Sequence, residues 1–267
     1  MMHRISLTIL VCARMAAPQE TAAPRDLPHF DVASVKPQDS GGPNWMGVRI
    51  HPGGRVEISG LSLRNLVGTA FGVGYWQISG GEEWTSNDTY FIEAKPPEGM
   101  QASIKSLRHT LFGIDDPVLR QMLQALLIDR FQLKVLRETR TGEVYLLKRN
   151  EKPLALKPAS IPEGASESDP FGSVGFVSGK WGIFSTTMPQ LAKFASDFIL
   201  HAPVLDRTGL EGAFDYRQRQ PELDPEYEGD KTASFKAFLA QAGFKSERSQ
   251  GPVEILVIDH AAKPAPN

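Results

Sequence analysis

Cysteine is nearly absent. Cys12 is the single one among 267 residues, which excludes an intrachain disulfide framework and a cysteine-rich metal site. A surplus of one charge is lacking too. Lys and Arg number 29 against 31 Asp and Glu, a net charge of -2. A nucleic-acid footprint needs a basic surplus on one face, so the balance argues against nucleic acid as a partner. No later apolar run approaches the roughly 20 residues that span a bilayer. No Gly-x-Ser-x-Gly elbow and no His-Glu-x-x-His pair is present, which removes two common hydrolase signatures. The stretch Gly175-Phe176-Val177-Ser178-Gly179-Lys180 is one residue short of a phosphate loop. Trp181 stands where a Ser or Thr would hold magnesium. No two of the six histidines sit at a ligand spacing beside a supporting acid. Asp259 and His260 are adjacent, so on a strand they face opposite ways. Nothing in the pattern points to a cofactor or a metal.

Glycine (24) and proline (20) are plentiful, and 41% of residues are hydrophobic. That composition fits a well-cored chain of short strands and many turns. The rhythm of these elements runs through the chain twice. Ser62 caps an apolar stripe of Leu63, Leu66, Val67, Ala70 and Phe71, spaced as one helix face. Asp116 and Pro117 open a second helix through Phe131. Thr187, with Pro189 in the first turn, opens a third along Leu191 to Ile199. Phe235, Phe238, Leu239 and Ala242 stripe a fourth, ended by Gly243. Strands are expected at Phe30–Lys36, Met46–Ile50, Arg55–Ser59, Trp76–Ser79, Thr89–Lys95 and Pro203–Leu205. Three hairpins are expected: Met46–Ile50 with Arg55–Ser59 about Pro52-Gly53-Gly54, one turning at Arg140-Thr141-Gly142 and one at Gln250-Gly251-Pro252. A weak helix is expected at Ile104–Leu111, and a solvated acidic loop at Gln218–Asp230.

The expected fold is therefore α+β: two similar antiparallel-sheet lobes, each with two main helices, related by internal duplication. Residues 1–27 form a signal-like segment and tether. Residues 28–150 make the first lobe, 151–173 a Pro/Ser-rich linker without regular structure, 174–260 the second lobe, and 261–267 a tail. His3 and Arg4, the apolar run Ile5–Val11 and the small pair Ala16-Ala17 have the layout of an export signal.

Several strings resemble one family. They are Phe30-Asp31-Val32-Ala33-Ser34-Val35-Lys36-Pro37; Ile78-Ser79-Gly80-Gly81 with Trp84; Leu123 to Phe131 with Lys134; Pro203 to Gly212; and Gly251 to Glu254 followed by Val257 to His260. Together they resemble the signatures of soil-associated proteins abundant in acidobacteria, a domain of unknown function termed DUF3738. The resemblance covers about residues 28–264. It implies a secreted protein, and in some relatives a membrane metallopeptidase precedes this region. It supplies no catalytic residues. The strand-helix-strand-strand pieces also resemble small interaction modules of secretins and TonB-dependent receptors, an analogy of fold alone.

The polar cluster Asp206-Arg207-Thr208-Gly209 is the best candidate site. Asp206 is expected to accept from the amides of Thr208 and Gly209 and so fix a turn. A second role for Asp206 and Arg207 is to orient a ligand. His201 either pairs with Asp206 as acid and base or sits at a helix C-terminus, where positive charge is favourable. Trp76 and Trp84 lie near glycine turns, where they can line a groove for a peptide or glycan. The function expected is a secreted or periplasmic, non-catalytic protein that binds a peptide, glycan or envelope protein. The alternative is a hydrolase acting on a peptide or cell-wall substrate.

Overall fold

The computed structural model describes residues 19–20, 27–38, 43–51, 54–100, 116–159, 173–177, 179–218 and 230–265. The export-like run, the expected helix at Ile104–Leu111 and most of the acidic loop lie outside them. The described chain is α+β, with three sheets and five α-helices among the described residues.

Two sheets are four-stranded and wholly antiparallel. The first has the order β2 (Val32–Pro37), β6 (Thr89–Lys95), β4 (Val56–Ser62), β3 (Gly47–Ile50). The second has the order β8 (Lys157–Ala159), β12 (Ala213–Arg217), β10 (Lys180–Thr187), β9 (Ser173–Val177). The third is built on a long antiparallel ladder of β7 (Lys134–Arg149) and β13 (Phe244–His260). β5 (Ile78–Gly80) adds to β13 in parallel, and β11 (Val204–Asp206) adds to β7 in parallel. β1 (Gln19–Glu20) pairs with β7 further along.

Local chemistry sets the helices where the pattern places them. The Ser62 hydroxyl accepts from Asn65 N at 3.3 Å and opens α1 (Leu63–Phe71), which Gly72 ends in a left-handed conformation. Trp84–Asn87 forms the one-turn α2. Asp116 accepts from Val118 N and Leu119 N at 2.8 and 2.9 Å to open α3 (Pro117–Phe131). Thr187 and Gln190 form a reciprocal capping box on α4 (Met188–Ala195), which runs on into a π-helical turn, Ser196–Leu200. Asp230 caps α5 (Lys231–Ala242).

Three expectations are corrected. β3 and β4 pair antiparallel as expected, but neither of the two later hairpins exists, because each segment is one unbroken strand, and Gly142 stands opposite Gly251 at mid-ladder. These glycines serve close approach instead of turning. A Cβ on Gly142 would lie 3.0 Å from Val253 Cγ2, and one on Gly251 would lie 3.2 Å from Val144 Cγ2. Tyr75–Gln77 is a 3-10 turn rather than strand, so β5 begins at Ile78. The linker contains β8, whose Pro158 is tolerated because β8 is an edge strand.

The ladder joins two apolar cores. The first gathers Ile58, Leu66, Tyr90, Ile92, Leu119, Met122 and Phe131, and also Leu256 and Ile258 from β13. The second gathers Trp181, Ile183, Leu191, Phe235, Phe238 and Phe244, and also Leu147 from β7. Each core thus holds the end of a strand that comes from the other half of the chain. Burial, with Asp88 beside it, pushes the Tyr90 phenol up to about 12. Leu256→Ala should cost about 2–5 kcal/mol through the cavity it leaves. Because the ladder couples the cores, hydrogen exchange at Phe238 in the second core should accelerate as well. An unchanged second core would contradict that coupling.

Ion pairs line the ladder's exposed face. Glu247 accepts from Lys148 at 2.5 Å and pairs with Lys245 at 2.7 Å. The Lys148 hydrogen bond, then that of Lys245, lowers its carboxyl from 4.5 to about 2. A lowered carboxyl contributes stability above its unfolded value and loses it as pH falls through the folded one. Acid titration should therefore destabilise the protein between about pH 4.5 and 2, by a small amount because the pair is solvent-screened. Glu247→Gln should reduce that slope, as read by thermal melting at stepped pH.

Candidate functional site

A cleft lies between α4 and β11. Pro189, Ala192, Lys193 and Ser196 contribute one helical face to it, the spacing i, i+3, i+4, i+7 of a single stripe. Pro203 to Arg207 contribute the strand, and Trp76 and Gln77 close one end. The cleft has a volume of about 340 Å³. That is near the lower limit for small-ligand sites and suits a side chain or short peptide segment.

Trp76 reaches the cleft from the other half of the chain. It stands in the 3-10 turn before β5, and Gln77 Nε2 donates to Glu254 O of β13 at 3.0 Å. Trp76 Nε1 donates to Asp197 Oδ1 at 3.4 Å, and Lys193 Nζ pairs with Asp197 Oδ2 at 2.9 Å. Gly74 leaves room for this junction, since a Cβ there would lie 2.5 Å from Asp197 Oδ1. Asp197 sits in the π-helical turn. There the Ser196 amide is shared between Ala192 O and Lys193 O. Such single π turns break helical register and re-aim side chains.

β11 forms the polar wall. Arg207 N donates to Leu147 O at 2.8 Å, and Tyr145 N donates to Pro203 O at 2.7 Å. Backbone direction alternates along a strand. Val204 and Asp206 therefore turn their amides and carbonyls away from β7. β11 pairs with β7 alone among the described residues. Arg207 Nη1 donates to the outward Asp206 carbonyl at 3.2 Å.

Of the residues singled out by sequence, Trp76, Asp206 and Arg207 meet at this cleft. Trp84 does not. It is half-buried against the first core, with Lys263 Nζ 5.7 Å from its ring. His201 is exposed and ends the π-helical turn at φ 49. It is not among the lining residues, so the cleft does not assemble a His201–Asp206 pair. Asp206 Oδ1 accepts from Thr208 N at 2.9 Å, one bond of the two expected, and Thr208 Oγ1 accepts from Leu210 N. Lys193 and Asp197 escaped the sequence reading, which followed only the apolar stripe of α4. Their signal was an i, i+4 opposite-charge pair inside an apolar run. Among the described residues no cluster of three or more His, Cys, Asp or Glu is placed to hold a metal. No helix among them is long and apolar enough to cross a membrane.

The family model described as a protein of unknown function (DUF3738) matches residues 64–261. The chain belongs to the DUF3738 family. The match takes in α1 from Arg64 onward, both strands of the ladder and every residue lining the cleft. No curated protein and no solved structure is significantly similar to the chain.

With one local bond at stake, Asp206→Ala should lower stability by about 1 kcal/mol, measured by denaturant unfolding. A loss above about 3 kcal/mol would mean that Asp206 supports more than the Thr208 turn.

Proposed function

We propose that this DUF3738 protein is a non-catalytic binding protein that takes a peptide segment of a partner into the cleft between α4 and β11. The observation that carries the reading is the open outer edge of β11, set beside the helical wall of Pro189, Ala192, Lys193 and Ser196 and the Trp76 ring. A strand edge offers backbone acceptors and donors at fixed spacing. An aromatic ring offers broad contact at low entropic cost. On this reading Trp76, Asp206 and Arg207 are binding residues, whereas Trp84 and His201 are not.

The same reading includes an internal duplication. Its support is the matching order of elements. β4-α1-β5-β6-α3-β7 in the first half corresponds to β10-α4-β11-β12-α5-β13 in the second. The sheet order β2-β6-β4-β3 corresponds to β8-β12-β10-β9. Val144 packs over Gly251 and Val253 over Gly142, a reciprocal contact about the ladder's centre. On this proposal the protein works outside the cytoplasm of a soil bacterium, with a peptide or envelope protein as its partner; the export-like layout of His3 to Ala17 supports that reading.

Panning random peptides displayed on phage against the full chain tests the function. Selected peptides should bind Trp76→Ala roughly 30-fold more weakly, the usual cost of truncating a tryptophan anchor. The melting temperature should change little. Peptides that bind the variant and the parent equally would contradict a site at this cleft.

A further inference from the structure

The first half contains the counterpart of β11, and there the outer edge is already occupied. β5 pairs with β13, and Gly81 N donates to Ile258 O at 3.0 Å. The carbonyls of Ile78 and Gly80 therefore face away from β13, as those of Val204 and Asp206 face away from β7. Arg64, in the first turn of α1, reaches across to them. Its Nη1 donates to Ile78 O at 2.5 Å and its Nη2 to Gly80 O at 2.8 Å, while Nε donates to Ser86 Oγ at 3.1 Å. A planar guanidinium suits two carbonyls on alternate residues of one strand, because its donors form a rigid fork.

The second half repeats the geometry without the guanidinium. Ser62 and Thr187 both cap their helices, and the second residue after each cap is Arg64 in α1 and Pro189 in α4. Pro189 has no side-chain donor and lines the cleft. Val204 and Asp206 line it too, so the open volume lies where the first half holds an arginine head. The lining also holds the Trp76 ring and the Asp206 carboxylate, both groups that attract a cation. Its two cations are engaged, Lys193 by Asp197 and Arg207 by the Asp206 carbonyl.

We infer that the cleft selects an arginine side chain in its peptide. The guanidinium takes the outward carbonyls of Val204 and Asp206, as Arg64 takes those of Ile78 and Gly80, and displaces the Arg207 contact to Asp206 O. This deepens the peptide-binding reading and rests on it.

The test compares blocked tripeptides Ala-Arg-Ala, Ala-Lys-Ala and Ala-Leu-Ala with the full chain, followed by amide NMR shifts along β11. The arginine peptide should bind about tenfold or more tightly than the lysine peptide, which keeps the charge but loses the fork. Pro189→Arg should abolish that binding while retaining the parent's melting behaviour, because it supplies the guanidinium internally. Arg64→Ala should open the β5 edge and raise the number of arginine-peptide sites from one to two. If that variant unfolds, Pro189→Arg decides alone, and if Pro189→Arg unfolds, the arginine-to-lysine ratio decides. Equal binding of arginine and lysine peptides overturns the inference, as does arginine binding that survives in a folded Pro189→Arg protein. If none of the three binds but phage-selected peptides occupy the cleft, the arginine inference fails and peptide binding stands. Failure of every peptide sinks both.

Discussion

The β7–β13 ladder is the constraint on which the rest of the molecule depends. Its register runs unbroken from the Phe244–Arg149 pair to the Ile258–Val135 pair. No turn joins these strands, which are separated by most of the second half, so their pairing depends on the burial of their ends. The ends are buried in opposite directions: Leu256 and Ile258 end in the first core, and Leu147 and Phe244 in the second. Burying each large apolar side chain contributes on the order of 1.5–3 kcal/mol, whereas solvent screening leaves the exposed ion pairs along the face with much less. Crossed apolar ends therefore secure the ladder, and the ion pairs decorate it.

The crossing also builds the cleft. β5 is held by a strand from the second half, so the Trp76 turn before it is carried to α4 and Asp197. β11 is held in turn by a strand from the first half. The two outer strands are thus stationed on opposite sides of one ladder, each facing its own helix. One difference between them is the side chain at the helix start. Arg64 fills one edge with its guanidinium, and Pro189 leaves the other unfilled.

Much of this was legible in the sequence, and for local reasons. Ser62, Asp116 and Thr187 announce helices because their side chains can take orphan amides within three residues. Pro117 and Pro189 agree with them because the first turn needs no amide from those positions. Pro203 and the Asp206–Gly209 turn frame β11. The ladder was not legible. Gly142 and Gly251-Pro252 have turn chemistry, and only a partner strand far away in sequence makes them mid-strand contact points. The cleft was half legible. Asp206, Arg207 and Trp76 stood out as polar or aromatic residues near turns. Lys193 and Asp197 were hidden within an apolar stripe, and Trp84 is spent on packing. His201 adopts its left-handed conformation only because the π-helical turn ends there.

The open edge of β11 is the central claim, and residue-resolved amide hydrogen exchange on the free protein tests it most directly. Leu205 and Arg207 direct their amides to β7, while Val204 and Asp206 direct theirs away from it. The account predicts alternation along four consecutive residues: slow exchange at Leu205 and Arg207, and exchange faster by orders of magnitude at Val204 and Asp206. Equal, strong protection of all four amides would mean that the edge is already covered, and would contradict the account.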